Sequence, residues 1–138
     1  EFAAELHSLD SLRLADALNR RLAAIGRRLP VLVQVNTSGE ATKSGIEPAD
    51  AVAFARALAP FEALEPRGLM TMALNTADLD GVAECFERLA QTRARVRDAA
   101  GAGWNELSMG MSGDFRIAIA HGATTVRLGT AVFGPRQY

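Results

Sequence analysis

The chain has 138 residues, 49% of them apolar and 22% charged, with a net charge of -1. That length suits one domain with a sizeable core, and that balance reads as soluble and globular. It excludes a basic field for nucleic acid and a polybasic membrane patch, and no stretch approaches the ~18 apolar residues of a membrane span.

The lone cysteine, Cys85, forms no disulfide within the chain and points to a reducing, cytoplasmic setting. Of the 15 Lys and Arg, only Lys43 is a lysine, so any lysine chemistry in this chain falls to it. The opening "EFAAELHSLD" has no Met and no basic n-region, so no signal peptide is expected.

In chain order, "ELHSL" reads as the end of a strand. Leu9, Leu12, Ala15, Leu18, Leu22 and Ile25 then recur at helical spacing, with Ser8 or Asp10 placed to cap the start and Gly26 to end it. "PVLVQVN" is an apolar, β-branched run of the buried-strand kind, followed by the polar loop "TSGEATKSG". "EPADAVAFARALAP" reads as a helix with Pro48 in its first turn and Pro60 closing it. "LEPRGLMTM" is the next strand. The long helix "TADLDGVAECFERLAQTRARVRDAA" puts Leu79, Val82, Phe86 and Leu89 on one face, and Cys85 reads as a packed thiol within it. "WNELSMGM" is a strand, "SGDFRIAIAHG" a short helix and "TTVRLG" the last strand.

Strict β-α alternation with short connections implies parallel strands with helices outside. A flavodoxin-like open sheet shares this rhythm, but two features favour a barrel. The strands carry Met, Gln and Arg among their apolar residues. Asn36, Met72, Met111, Ser112, Gly129 and Thr130 also follow strand C-termini, the end where a (β/α)8 barrel builds its site. The expected fold class is therefore α/β, a partial (β/α)8 TIM barrel of about five βα units in sequential order. No linker divides residues 1–138. An incomplete barrel leaves two open sheet edges, which invite a missing segment or a second copy.

In "SMGMSGD", Ser112 either caps the short helix or, with Gly113 and the helix N-terminus, binds a phosphate. "RLGT" offers a second set of N–H groups at Gly129 and Thr130. Neighbouring strand ends lie ~4.8 Å apart, so the two loops can share one anion. Arg127 shares a face with Gly129 by period-2 alternation. It is expected either beside that ligand or in an ion pair with Glu106 or Asp114, because an unpaired buried guanidinium is costly. Lys43, between Thr42 and Ser44, reads as solvent-exposed. His7 and His121 have neither ligand spacing nor companions, so no metal site is expected; His121 suits a helix C-terminus. Of Met70, Met72, Met109 and Met111, three read as core filling.

"VNTSGEATKSGI", "RGLMTM" and "LSMGMSGDFRIAIAHGATTVRLGTAVFG" together resemble the pyridoxal phosphate homeostasis protein family. Its pattern runs N-x-S-x-E-x-x-K-x-G, R-G-L-M, L-S-M-G-M-S-x-D and V-R-x-G-T-x-[IV]-F-G. All four blocks occur in order, and the resemblance extends from "HSLDS" to "FGPRQY". It implies a barrel like the alanine racemase N-terminal domain. It also implies a protein that binds pyridoxal 5′-phosphate (PLP) in vitamin B6 and amino-acid homeostasis, with no established enzymatic turnover. By this resemblance Ser112, Gly129 and Thr130 match phosphate-holding positions, with Gly113 beside them, and Arg127 matches the arginine that faces the pyridine nitrogen. A guanidinium there keeps the ring nitrogen unprotonated, which suits storage more than carbanion chemistry.

The family's Schiff-base lysine, in a stretch like "AVSKT", has no counterpart here, nor do its "GENY-x-QE" and "HFIG-x-LQ-x-NK" stretches. The chain thus resembles the C-terminal portion of one PLP-binding domain, with the cofactor held non-covalently. Lys43 matches a different lysine, that of the rim-loop K-x-G. "MTMALNTADLD" stands where the family often has a proline-rich loop. The alternative is an amino-acid racemase of the alanine racemase fold, which would need the Schiff-base lysine, a second base and usually a further β-domain.

Overall fold

A computed structural model describes residues 3–135. Ten elements alternate along it: β1 (Leu6–Leu9), α1 (Leu12–Ala24), β2 (Leu29–Gln34), α2 (Ala51–Ala57), β3 (Leu64–Met70), α3 (Leu79–Ala100), β4 (Glu106–Met111), α4 (Phe115–Ala120), β5 (Thr125–Arg127) and α5 (Thr130–Phe133). All pairings are parallel and the strand order is β1-β2-β3-β4-β5. Sequential order with helical crossovers is the half-barrel expected from the sequence. A flavodoxin-like sheet would have interleaved its strands.

Several helix ends differ from the sequence reading. Leu9 belongs to β1 and is fully buried, and α1 starts later, at Leu12. Its cap is Ser11, whose Oγ accepts the Leu14 N–H at 3.2 Å, not Ser8 or Asp10. Strand hydrogen bonding outweighed the helical spacing of Leu9. Ile25, one residue past α1, is exposed. Pro48 lies in a turn before α2 rather than in its first turn. In α3, Asp78 caps the start by accepting N–H groups of Asp80 and Gly81. That places Leu79 at the frayed end, 59% exposed, and the buried face runs through Val82, Cys85, Phe86, Leu89, Thr92 and Val96. A short terminal helix, α5, follows β5 where the sequence had suggested only a strand.

The core lies between the sheet and α1–α3, with Leu9, Val31, Val33, Leu69, Phe86, Leu89, Leu107 and Met109 among its members. Gly68 shows why "RGLM" needs its glycine. A Cβ there would lie 1.9 Å from the Glu106 carbonyl oxygen across the β3–β4 pairing. At Gly110, φ is +97° and a Cβ would meet that of Ala118 at 2.6 Å, so only glycine lets α4 pack onto β4.

Candidate functional site

The C-terminal ends of β2 to β5 and their loops surround a cleft of about 960 Å³. Its walls include Lys43, Met72, Ser112, Arg127, Thr130 and Phe133, and Gly113 and Gly129 complete the set of predicted positions. Ser112, Gly113, Arg127, Gly129 and Thr130 are thus gathered at one place. A second hollow of about 750 Å³ lies at the opposite end of the strands, lined by Arg28, Phe61, Pro66 and Trp104 among others. Size does not separate the two. Chemistry does, because Arg28 already donates to the Glu62 carbonyl at 3.2 Å and pairs with Glu65 at 3.3 Å.

Ser112 does not cap α4. Asp114 takes the N-cap position and its Oδ1 accepts the Met111 N–H at 2.6 Å. The carboxylate sits where the chain turns from β4, so the serine hydroxyl is free to face the next strand. There Ser112 Oγ accepts N–H groups from Gly129 at 3.2 Å and Ala131 at 3.1 Å. Two backbone donors from the β5–α5 corner therefore converge on one oxygen, with Ala131 rather than Thr130 as the second. The helices α4 and α5 have six and four residues, too short for much macrodipole. Any anion attraction here comes from the donors themselves.

Arg127 makes no ion pair with Glu106 or Asp114. Its Nη1 donates to Ser108 Oγ at 2.6 Å and its Nη2 to the Thr71 carbonyl at 2.8 Å. Both acceptors are neutral. Burial lowers the guanidinium pKa from its ordinary value, and the charge of Asp114 works against that shift from a distance. A cation partly pulled out of water, with no carboxylate in contact among the described residues, favours an electron-rich ligand in the cleft.

Ser108, Thr71 and His7 belong to the same interior layer and were missed from the sequence. Ser108 is fully buried, and His7 Nδ1 lies 2.9 Å from its Oγ. Thr71 Oγ1 donates to the Val35 carbonyl at 2.8 Å and lies 2.9 Å from Thr37 Oγ1. His7, Ser108 and Arg127 each sit on a strand that also carries a second polar residue (Ser8 in β1, Glu106 in β4, Thr125 in β5), so polarity alone did not single them out as the set that meets inside the sheet.

Lys43 is not solvent-exposed as expected. Its side chain is 28% accessible, its Nζ pairs with Glu40 at 2.7 Å, and it donates to the Ala73 carbonyl at 3.1 Å. The loop is strapped to the sheet rather than free. The Asn36 N–H donates to the Ile46 carbonyl and the Ile46 N–H to the Gln34 carbonyl, and Asn36 Nδ2 donates to the Glu40 carbonyl at 2.9 Å. At Gly45, φ is +119° and a Cβ would sit 2.7 Å from the Asn36 nitrogen, so this glycine lets the strap close. Met70 and Met109 are core, whereas Met72 (44% exposed) and Met111 (48%) face the cleft side, so two methionines fill the core rather than three. Cys85 is buried. Among the described residues no three His, Cys, Asp or Glu come together as a metal-ligand set, and no helix is long and apolar enough to cross a membrane. His121 ends α4 as expected and its Nδ1 lies 3.2 Å from Glu87 Oε2; the hydrogen bond from Gln91 first, and then His121, hold that carboxyl below its usual value.

The model of the alanine racemase N-terminal domain matches residues 3–137. The pyridoxal phosphate homeostasis protein of Vibrio alginolyticus is 41% identical over 133 residues, which are 96% of this chain and 57% of that protein. The protein of the same name from Bos taurus is 42% identical over 96% of this chain and 51% of its own length. The chain therefore spans little more than half the length of these relatives. The structure of PipY from Synechococcus elongatus PCC7942, solved with PLP bound, superposes with a TM-score of 0.85 at 33% identity, covering 95% of this chain and 61% of that one.

Proposed function

The chain belongs to the alanine racemase N-terminal-domain family, with pyridoxal phosphate homeostasis proteins among its relatives, and from that premise we propose that it binds PLP non-covalently as part of an intracellular vitamin B6 and amino-acid homeostasis protein. The observation that carries this is Arg127, a half-buried guanidinium on neutral acceptors, in the same cleft as two backbone N–H groups converging on Ser112. The two ends match the two ends of the cofactor. Ser112, Gly113, Gly129 and Thr130 would hold the phosphate, and Arg127 would face the pyridine nitrogen without giving it a proton. The group supplies an aldehyde and an electron-withdrawing ring when bound, and an arginine at the ring nitrogen leaves that ring a weak electron sink.

The binding reading is favoured over a racemase. Lys43, the one side-chain amine in the sequence, is engaged by Glu40 and the Ala73 carbonyl. The relatives named above are called homeostasis proteins. Residues 1–138 then form the C-terminal portion of a single cytoplasmic barrel domain. The sheet ends at β1 and β5 are completed by a further βα segment or by a second copy. Equilibrium dialysis of this chain against PLP tests the reading. Binding should be saturable and fully reversed by dialysis, and borohydride should trap little protein-bound cofactor. No saturable binding, or stoichiometric trapping on Lys43, would overturn it.

A further inference from the structure

β1 and β4 are three strand spacings apart in the sheet order, which in a flat sheet would separate them by about 14 Å. Yet His7 of β1 touches Ser108 of β4 across the hollow of the arc, 2.9 Å from Nδ1 to Oγ. This chord ends on the same oxygen that receives the Arg127 Nη1 proton at 2.6 Å. We propose that His7 is a positioning residue for Arg127, acting through the Ser108 hydroxyl as the neutral imidazole protonated on Nε2.

Hydrogen-bond bookkeeping leads to that assignment. A hydroxyl has one proton to donate and two lone pairs to accept with. Arg127 can only donate, so it occupies one lone pair of Ser108. The best use of the remaining proton is an acceptor, and His7 Nδ1 is the atom within reach. The other ring nitrogen, Nε2, is shut off from water. Glu5 Oε1 lies 3.0 Å from it, off the line of a good hydrogen bond. A bare lone pair facing that carboxylate would be repelled, whereas an N–H is attracted. Both ends of the ring therefore call for the proton on Nε2. An imidazolium would instead turn an N–H toward Ser108, remove the acceptor for its proton, and add a second positive charge two bonds' reach from the guanidinium. With the neutral ring, the polarity runs one way from Glu5 through His7 and Ser108 to Arg127. The serine oxygen is then presented to Nη1, while the Thr71 carbonyl fixes Nη2. Two acceptors, one on β4 and one just past the end of β3, hold the plane of the guanidinium against the cleft.

The ligand arm of the test rests on the PLP-binding reading, and the other arms do not. In the ligand-free chain, ¹⁵N resonances of the His7 ring should report Nε2–H with Nδ1 unprotonated at neutral pH. An Nδ1–H tautomer or an imidazolium would overturn the proposal. His7→Leu should broaden or average the Arg127 guanidinium resonances and weaken PLP binding about tenfold, the cost of one charge-assisted hydrogen bond, with affinity for inorganic phosphate unchanged. His7→Asn, whose amide oxygen can replace Nδ1 as acceptor, should restore both readouts. Ser108→Ala should reproduce the His7→Leu effect on Arg127, and adding His7→Leu to it should change nothing further. Arg127 resonances and PLP affinity that ignore His7→Leu, or additive effects in the double variant, would sink the relay. If PLP fails to bind even the unaltered chain while Arg127 still responds to His7→Leu, the functional reading falls and the positioning role stands.

Discussion

β2 and β3 pair at six positions from Leu29↔Leu64 to Gln34↔Met70, with one register shift between Val31 and Leu32, and β2 is buried almost throughout. β4 and β5 are matched only at Ser108↔Thr125 and Met111↔Arg127, with an irregularity between, and no β5 residue is fully buried. The first pair uses its main-chain groups on the ladder and its side chains on the core. The second leaves ladder positions open, so the polar side chain of Arg127 and the N–H groups of Gly129 and Ala131 turn to Ser108, Ser112 and the cleft. The half that holds the fold together and the half that meets a ligand are adjacent in one sheet, and they divide the work by how completely their backbone is paired.

The division is sharpest at glycines. Gly68→Ala forces a methyl group to 1.9 Å from the Glu106 backbone oxygen, and backbone cannot step aside as a side chain can. The expected loss is at least about 3 kcal/mol, or a fall in Tm on the order of 10 °C. Gly113 in the other half has open space around it and no positive φ, so Gly113→Ala should change stability by less than about 0.5 kcal/mol. Urea denaturation of both variants checks this, and equal losses would erase the distinction between the halves.

The next largest effect reverses the sign. Arg127→Met removes a partly desolvated cation that has no contacting carboxylate among the described residues. Stability should hold or rise, because apolar replacement of buried charge is often neutral or favourable. PLP affinity should fall about 30- to 100-fold, in line with the loss of a charged hydrogen-bonding partner. A variant that unfolds, or that still binds PLP normally, would place Arg127 with the scaffold.

Ser112→Ala takes the common acceptor away from the Gly129 and Ala131 N–H groups. Both groups are exposed, so water replaces the hydroxyl and thermal stability should stay nearly constant. Inorganic phosphate affinity should drop by about tenfold. Calorimetric titration of phosphate decides it; an unchanged affinity would remove Ser112 from the anion end.

The smallest effect is set by pH. Glu87 is held below its usual value of 4.5, first by its hydrogen bond from Gln91 and then by His121. A carboxyl whose folded pKa is depressed contributes stability that is fully present above 4.5 and is lost as pH falls through the lower folded value. Glu87→Gln should therefore be slightly less stable than the unaltered chain near pH 6, with the gap closing in stronger acid. A gap that widens in acid would contradict the assignment. Because the carboxyl is solvent-exposed, this test also measures how little such a surface pair between α3 and α4 adds beside the β2–β3 core.

By itself the sequence determined the alternation of strands and helices, the parallel order, and the clustering of Ser112, Gly113, Arg127, Gly129 and Thr130 at one rim. Hydrophobic period and glycine punctuation are local, and in a parallel half-barrel they leave one end for the loops that follow the strands. It did not determine which acceptor each donor meets. Asp114 displaced Ser112 from the helix cap, Ser108 and the Thr71 carbonyl stand where one of the two readings put a carboxylate beside Arg127, and Glu40 with the Ala73 carbonyl drew Lys43 in from solvent. Ser108 meets Arg127 from 19 residues away and His7 from 101. Those meetings depend on the curvature of the sheet, which brings β1 within reach of β4. Curvature is a property of five strands packed together, and no single stretch of residues encodes it.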